Sequence, residues 1–305
     1  MTRARLIVNP SSGRERATES AAMIRERLSE RYTAVEVIVT QGDGDAAVAA
    51  RQAVHDGCGV LIVAGGDGTL NEAFNGVRAE NALDRMTFGI VPMGTGNDFA
   101  AALGVPPAIE PALQIILRGK TVAVDIGMVN ERAFLNTSGG GFIAEVSMAV
   151  TPQLKTIAGR LAFLVGGAQV LLEYEPVRAT VTAEPGAIRI GLGLYTFAVC
   201  NSPTIGGGRL IAPAALIDDG LLDVCLIEAM SSLEFVALAR KVAEGDHVND
   251  DRVRYLQASS VRIELDREIH INTDGEVFPA TICEYGVRPR AATFLAGDSP
   301  SISPA

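Results

Sequence analysis

The sequence predicts two domains separated by a cleft: an amino-terminal α/β domain with a parallel sheet and a carboxy-terminal, mostly antiparallel β domain. Three observations lead to this fold class. The chain has 305 residues, whereas single cores stop growing at about 250–300 residues. Residues 3–128 alternate short apolar runs with helix-period stretches, the pattern of parallel βα units. The chain that follows is rich in strand-like segments separated by turn residues.

The first domain, residues 1–127, is expected to contain five strands with helices between them. Apolar runs place the strands at residues 5–9, 35–40, 59–64, 87–91 and 121–126. In residues 16–31, Ala21, Ile24 and Leu28 fall on one helical face. A second helix over residues 45–57 should end at Gly57, because glycine readily adopts the left-handed conformation that terminates helices.

The second domain, residues 128–289, is expected to be built from antiparallel strands. Strand-like segments occupy residues 177–185, 187–201, 221–229, 255–267 and 268–278. One helix is predicted over residues 231–244, since Ser231 and Glu234 have capping-box spacing, and another over residues 152–174. Residues 290–305 form a separate segment that is expected to return to the first domain. The end of this segment, residues 296–305, is small and polar and predicts a disordered tail.

Composition excludes several classes of protein. The formal net charge is −10, from 26 basic and 36 acidic residues, which argues against a nucleic-acid-binding surface. The cysteines lack the spacing of a zinc site or a disulfide framework, so free buried thiols in a reducing cytoplasm are expected. They are Cys58, Cys200, Cys225 and Cys283. A signal core and any run of roughly 18 apolar residues are absent from the sequence, so a soluble, cytoplasmic protein is expected.

The stretch GGDGTLNE, residues 65–72, is the first candidate site. It matches neither a P-loop nor a dinucleotide fingerprint. Its two leading glycines follow a strand and let backbone approach a ligand, and a helix is expected to begin near Thr69 with amide groups free for anionic oxygens. Asp67 would repel phosphate unless a divalent cation lies between them. The alternative is that Asp67 is only a turn residue or a helix N-cap.

Two further loops have similar composition. After the strand at residues 87–91 come Gly94, Thr95 and Gly96, with a helix start expected at Asn97 or Asp98. The stretch VNPSSGR, residues 8–14, also follows a strand. Open α/β sheets bind ligands at the carboxyl ends of neighbouring parallel strands. The three loops therefore predict one ligand site along one sheet edge.

The motifs NPSSG, GGDGTLNE, MGTGNDF, DIG, DDGLLDV and DGE occur in this order over nearly the whole chain. Together they resemble the diacylglycerol kinase catalytic-domain family, specifically its soluble bacterial lipid kinases. GGDGT alone is less specific, since NAD kinases share it. The resemblance implies a Rossmann-like or phosphofructokinase-like first domain and a β-sandwich second domain.

The resemblance also implies that ATP and Mg²⁺ are the cofactors. ATP is expected to contact Asn9, Ser11, Ser12, Thr40, Gly65, Gly66, Asp67, Gly68, Thr69, Leu70, Asn71, Glu72, Gly94, Thr95 and Asn97. Asp67 is expected to act on the catalytic Mg²⁺, directly or through water, with support from Asp125. For Asn97 and Asp98, helix capping is the alternative role.

Glu276 of TDGEVF is the other catalytic residue that the resemblance implies, as the general base for a lipid hydroxyl. Locally, Asp-Gly between strands predicts a tight hairpin turn, in which Glu276 would be a solvated strand residue. The resemblance also implies a structural Mg²⁺ bound by Leu216, Asp219 and Leu221, where the local pattern predicts only a turn.

The function implied is ATP- and Mg²⁺-dependent phosphorylation of a lipid hydroxyl in phospholipid biosynthesis, with diacylglycerol as the leading acceptor and phosphatidic acid as the product. Two alternatives stay open: a kinase for a soluble substrate such as NAD, and a non-catalytic nucleotide-binding regulator. The expected partner is a lipid substrate. The enzyme is expected to be cytoplasmic and to contact a membrane surface transiently when it acts. A homodimer is one possible oligomeric state. The stretch at residues 152–174 is a candidate acyl-chain wall or an ordinary core helix.

Overall fold

The computed structural model describes residues 2–10, 14–149, 174–298 and 300–303. The chain divides into two compact units. The first comprises Met1–Asp125 with Arg290–Ala305, and the second comprises Ile126–Pro289. Strands β5 (Thr121–Val129) and β13 (Glu276–Leu295) each contain one of the two chain crossings between the units. The predicted helix at residues 152–174 lies outside the described residues, apart from Tyr174.

The first unit contains a parallel sheet. Its strands are β1 (Arg3–Val8), β2 (Ala34–Val39), β3 (Val60–Gly65) and β4 (Thr87–Pro92). They pair in the order β4-β3-β1-β2, and the end of β13 lies parallel to β4 with Phe294 opposite Phe88. The helices are α1 (Arg14–Leu28), α2 (Asp45–His55), α3 (Asp67–Ala79), α4 (Asp98–Ala102) and α5 (Ile109–Arg118). Every residue of β3 is buried, as expected for a central parallel strand covered on both faces.

The predicted helical face of α1 is confirmed. Ala21, Ile24 and Leu28 are buried in one core cluster with side chains of β1 and β3. The end of α2 also agrees with the sequence pattern, since Gly57 adopts a φ of 69° two residues beyond the helix. Apolar spacing therefore determined which side of these helices faces the sheet.

Residues 296–298 and 300–303, in the segment predicted as a disordered tail, belong to the described part of the chain. Ala296 is buried, Gly297 N donates to Leu103 O at 2.9 Å, and Ser301 N donates to Ala102 O at 2.7 Å. A Cβ at Gly297 would come within 2.1 Å of Gly104 O. Small residues are therefore needed for this segment to pack beside α4.

The second unit is mainly antiparallel sheet. Its remaining strands are β6 (Arg132–Phe134), β7 (Thr137–Gly141), β8 (Val177–Glu184), β9 (Ile188–Cys200), β10 (Leu222–Glu228), β11 (Val253–Ala258) and β12 (Ser260–Thr273). Both β7 and β8 pair with β9 and with β12, which closes a ring of four strands. Beyond that ring, β10 pairs with β9 and β11, and β13 pairs with β12.

Strand alternation fills the core of the second unit. Val177, Ala179, Val181 and Ala183 of β8 are buried, and the residues between them are more exposed. Helices α6 (Phe142–Ala149) and α7 (Ser232–Val242) belong to this unit. The predicted capping box is confirmed, because the Ser231 side chain accepts from Glu234 N and the Glu234 side chain accepts from Ser231 N. All four cysteines are free and buried, as the sequence predicted.

Candidate functional site

The candidate loops of the first unit follow strands that are adjacent and parallel. Asn9 comes directly after β1, Thr40 after β2, and Gly94 two residues after β4, while Gly65 ends β3. Parallel neighbours end at the same sheet edge, so these residues are gathered there. Ser11 and Ser12, also predicted to contact ATP, lie outside the described residues.

Two of the loops are in contact at their glycines. A Cβ built on Gly66 would lie 3.0 Å from the Cα of Gly94, and one built on Gly94 would lie 2.5 Å from the Cα of Gly66. Gly65 is constrained separately, because its Cβ would meet the Thr69 side chain at 2.9 Å. By contrast, Gly68 has open space around it. The glycines of GGDGT therefore have different roles, and Gly66 is the one that permits loop-to-loop packing.

Helix α3 begins at Asp67, two residues before the predicted start near Thr69. Gly66 is the N-cap in an extended conformation, which leaves Asp67 in the first turn, where a carboxylate interacts favourably with the helix dipole. Thr69 accepts from Asn9 Nδ2 at 2.7 Å, and Glu72 accepts from Gly44 N at 3.0 Å. These bonds join the ends of β1, β2 and β3.

Leu70 and Asn71, which were predicted to contact ATP, are buried side chains of α3. Asn71 accepts from Asn75 Nδ2 through its side-chain oxygen at 3.0 Å. Thr40 is also buried, and its hydroxyl donates to Val8 O at 3.4 Å. In contrast, Thr95 is exposed in the loop after β4.

The Asp67 carboxylate accepts hydrogen bonds from the start of α4. Its Oδ2 accepts from Asp98 N and its Oδ1 from Phe99 N, each at 3.2 Å. Burial raises the pKa of Asp67, the negative charge of Asp98 adds to that rise, and the amide hydrogen bonds oppose it. The carboxylate thus helps to cap α4, the helix that follows β4. The sequence pattern had suggested capping of the helix that follows the GGDGTLNE loop itself, α3.

Asn97 closes the loop between β4 and α4. It has a φ of 56°, its Oδ1 accepts from Gly94 N, and its Nδ2 donates to Gly94 O, both at 2.9 Å. Helix α4 starts at Asp98, one of the two predicted positions. The Asn97 side chain therefore shapes the loop itself, and the carboxylate of Asp67 supplies acceptors for α4.

Asp67 retains chemistry that suits a divalent cation. An ionised carboxylate offers about four acceptor positions on its two oxygens, more than the amides of Asp98 and Phe99 use. Mg²⁺ is usually held by one or two carboxylates together with substrate phosphates. The donor set at Asp67 therefore fits the predicted metal, with the amide bonds orienting the carboxylate.

In the second unit, the predicted hairpin turn is confirmed. Thr273 pairs with Glu276, and the two residues between them, Asp274 and Gly275, have φ values of 47° and 96°. Positive φ at both central positions is the geometry of the type I′ turns that Asp-Gly favours. Glu276 is exposed at the first position of β13.

At the predicted structural Mg²⁺ site, the Asp219 carboxylate lies in a turn. Asp219 Oδ1 accepts from Leu221 N at 3.0 Å, and Gly220 has a φ of 75°. A carboxylate with the carbonyls of Leu216 and Leu221 would be an oxygen-only set, which suits Mg²⁺. Among the described residues, groups of three or more His, Cys, Asp or Glu side chains arranged for a metal are absent.

Comparison with known proteins places the chain in a family. Residues 3–129 match the diacylglycerol kinase catalytic domain, and residues 138–296 match the YegS C-terminal NAD kinase beta sandwich-like domain. A diacylglycerol kinase of Bacillus subtilis (strain 168) is 33% identical over 277 residues, which cover 90% of each chain. The chain belongs to the diacylglycerol kinase family.

Further proteins named diacylglycerol kinases are similar to this chain in sequence and in structure. The enzyme of Staphylococcus carnosus (strain TM300) is 34% identical over 274 residues, covering 90% of this chain and 88% of its own. A crystal structure from Bacillus anthracis str. Sterne, described as a candidate diacylglycerol kinase, superimposes with a TM-score of 0.83 at 25% identity and covers 98% of this chain and 96% of its own. The predicted family is confirmed, and with it the predicted class of enzyme, a phosphotransferase with an alcohol acceptor.

Membership of the diacylglycerol kinase family implies ATP use and typically a divalent metal. The comparisons also support a mixed α/β chain with a β-sandwich carboxy-terminal domain. Within the described ranges, the helices are all too short or too polar to cross a bilayer.

Sequence reasoning missed the surroundings of three motif aspartates. Asp125 is fully buried and accepts from Arg290 N at 2.7 Å. Asp223, in DDGLLDV, is buried and accepts from Tyr255 Oη at 2.5 Å, and burial raises its pKa. Asp274 accepts from backbone amides of residues 135–137. A lone acid inside an apolar strand, as in LLDVCLI, was the available signal for Asp223.

Proposed function

We propose that this protein is an ATP- and Mg²⁺-dependent lipid kinase that transfers the γ-phosphate to a lipid hydroxyl. Diacylglycerol is the proposed acceptor and phosphatidic acid the product. The observation that carries the proposal is the gathering of Asn9, Gly66, Asp67 and Gly94 at one edge of a parallel sheet, in a chain whose relatives are named diacylglycerol kinases. The proposed first domain is of the Rossmann-like or phosphofructokinase-like kind.

The first unit would bind the nucleotide. The glycines let the backbone of the two loops approach phosphates, and the amides at the start of α3 face the same edge. Asn9, Thr40 and Asn97 fix the loop geometry through their hydrogen bonds. Asp67 would hold Mg²⁺, directly or through water, and the metal would supply positive charge to the phosphates when bound.

Glu276 would take the proton of the acceptor hydroxyl. In the transfer, the acceptor oxygen forms a bond to the γ-phosphorus, the bond from that phosphorus to the β–γ bridging oxygen breaks, and ADP leaves. The hydroxyl proton passes to the Glu276 carboxylate. Asp219, with the carbonyls of Leu216 and Leu221, would hold a structural Mg²⁺ that stabilises the turn before β10.

Because the proposed acceptor is a lipid, the enzyme would need transient contact with a membrane surface. The cytoplasm is its proposed compartment. The test is a panel of lipids in mixed micelles, supplied with Mg²⁺ and radiolabelled ATP. Labelled phosphatidic acid from diacylglycerol is the expected product, and Glu276→Gln is the matched inactive control.

Two results would overturn the proposal. Label transferred to NAD in place of any lipid would identify a kinase for a soluble substrate. This alternative is included because the family model that matches the second domain is described as NAD kinase beta sandwich-like. ATP binding without transfer to any acceptor would identify a regulator.

A further inference from the structure

The turn that precedes Glu276 is fastened to a distant part of the second unit. Asp274 Oδ2 accepts from Leu135 N at 2.6 Å, and Asp274 Oδ1 accepts from Thr137 N at 2.9 Å. Asn136 N lies 3.1 and 3.2 Å from the two oxygens. In addition, Asp274 N donates to Thr137 O at 3.0 Å. A side chain needed only for a tight turn would not have to engage three consecutive amides.

The residues that bind Asp274, here called the anchor segment (residues 135–137), are themselves held firmly. Asn136 O accepts from Asn201 N at 2.8 Å, and Asn136 Oδ1 accepts from Ser202 Oγ at 2.9 Å. Asn201 Nδ2 donates to Leu135 O at 2.9 Å. Asn136, Asn201 and Ser202 are all buried. The anchor segment is therefore a fixed support, and a carboxylate makes stronger hydrogen bonds to its amides than a neutral acceptor would.

The turn is held from its other side as well. Thr273 Oγ1 lies 2.7 Å from Ser138 Oγ, and Asn272 Oδ1 accepts from Gly275 N at 2.8 Å. Only Gly275 separates Asp274 from Glu276, and Glu276 pairs directly with Thr273. Fixing Asp274 and Thr273 therefore fixes the backbone from which the Glu276 side chain projects.

We infer that Asp274 is a positioning residue for Glu276, acting by anchoring the turn to residues 135–137. The inference rests on the proposed function, in which Glu276 accepts the proton of the lipid hydroxyl. A base must lie within hydrogen-bond reach of that proton, and a displacement of about 1 Å can cost about 100-fold in rate. Glu276 is exposed, so the position of its side chain depends on the backbone of the turn, and the anchored turn supplies the precision.

The test is a double-mutant cycle on the full chain, with Asp274→Ala, Glu276→Gln and the combined variant. Asp274→Ala should lower kcat for lipid phosphorylation by about 100-fold and leave the KM for ATP unchanged. Adding Asp274→Ala to Glu276→Gln should cause little further loss, because a residue that acts only through another has no effect once its target is gone. Asp274→Asn, which keeps one acceptor oxygen, should retain more activity than Asp274→Ala.

A matched control is Glu234→Ala, which removes a carboxylate that also accepts a backbone amide in the second unit, from Ser231 N at 2.9 Å. It should leave kcat near that of the wild type. Hydrogen exchange adds a readout besides activity: peptides spanning residues 135–137 and 274–278 should exchange faster in Asp274→Asn and Asp274→Ala than in Glu234→Ala.

Losses that multiply in the combined variant, or equal losses in Asp274→Ala and Glu234→Ala, would overturn the inference. Unchanged exchange of those two peptides would do the same. If the wild type phosphorylates no lipid, the proposed function fails, and the exchange experiment still shows whether Asp274 anchors the turn.

Discussion

Replacing Asp67 separates its observed role, the capping of α4, from its proposed role, the recruitment of a metal. Asp67→Ala removes the acceptor for Asp98 N and Phe99 N. Both bonds, at 3.2 Å, are long for N–H···O, so we assign about 1 kcal/mol to each and about 2 kcal/mol to the loss of both. Asp67→Asn keeps one acceptor oxygen and should cost about half as much.

The effect on turnover should follow a different order. A neutral amide oxygen is a much weaker partner for Mg²⁺ than a carboxylate, so both variants should lose most metal-dependent phosphorylation. Nucleotide binding measured in EDTA should fall only modestly in Asp67→Asn. The assays are urea unfolding of each variant, calorimetric nucleotide binding with and without Mg²⁺, and kcat with a micellar lipid.

The pKa of Asp67 adds a check with a definite sign. Because burial raises that pKa, the folded protein binds a proton at Asp67 more readily than the unfolded chain does. The resulting stabilisation is present below the ordinary Asp pKa of about 3.9 and is lost as the pH rises through the folded-state value. Asp67→Asn lacks this dependence, so its deficit in unfolding free energy should shrink as the pH rises. If Asp67→Asn recovers turnover in proportion to its stability, capping is the sole role of Asp67 and the metal assignment is refuted.

Three further outcomes follow from the geometry. Gly94→Ala should force its loop away from Gly66 and raise the KM for ATP at least tenfold, a loss of about 1.4 kcal/mol, whereas Gly191→Ala, in β9 of the second unit with open space for the new methyl group, should leave the KM unchanged; similar values for the two variants would contradict this. Glu276→Gln should lower kcat by about 100-fold or more with nucleotide affinity retained, and unchanged turnover would remove Glu276 from the reaction. Asp223→Asn should keep the acceptor for Tyr255 and avoid the cost of burying a charge. Because burial raises the pKa of Asp223, in EDTA the unfolding free energy of the wild type should fall relative to this variant as the pH rises above the ordinary Asp pKa of about 3.9; parallel pH profiles would show that Asp223 does not titrate differently on folding.

The strands of the first unit were predictable because a buried parallel strand is apolar on both faces. The runs ending at Val8 and Gly65 leave little room for another assignment, and observed and predicted bounds differ there by at most two residues. The loops after those strands were predictable for a related reason. Glycine and small polar residues following an apolar run indicate a turn at the carboxyl end of a strand.

Strand β7 shows where this reasoning fails. Its sequence, TSGGG, has the composition of a loop. Gly139 and Gly140 nevertheless lie in a buried central strand. Glycine is required at both positions, because a Cβ on Gly139 would meet Phe197 O at 2.4 Å and a Cβ on Gly140 would meet the Phe197 ring at 2.7 Å. Local propensity cannot anticipate a strand whose glycines are required by a neighbour from another part of the chain.

The candidate site was predictable in its residue types and not in its hydrogen bonds. Asp67, Asp125 and Asp274 all lie in motifs, and each accepts backbone amides from a segment 31, 165 or 137 positions away. The pairing of a carboxylate with an amide that distant is decided by topology, which a motif of a few residues does not contain. Asp125, for example, binds the amide of Arg290, a residue with a φ of 49° at the point where β13 enters the first unit.

All three aspartates hold distant backbone segments together, and a metal is proposed at Asp67 alone, which has a consequence for mutagenesis. An alanine at any of them removes acceptors that hold two segments together, so loss of activity in an alanine variant does not distinguish broken geometry from lost charge. Asparagine retains an acceptor oxygen and removes the charge. For Asp67, where a metal is proposed, asparagine should preserve the fold and abolish metal-dependent turnover; for Asp274, where only anchoring is proposed, it should preserve much of both. The two sites are therefore expected to respond oppositely to the same substitution, and that contrast separates metal recruitment from positioning within one enzyme.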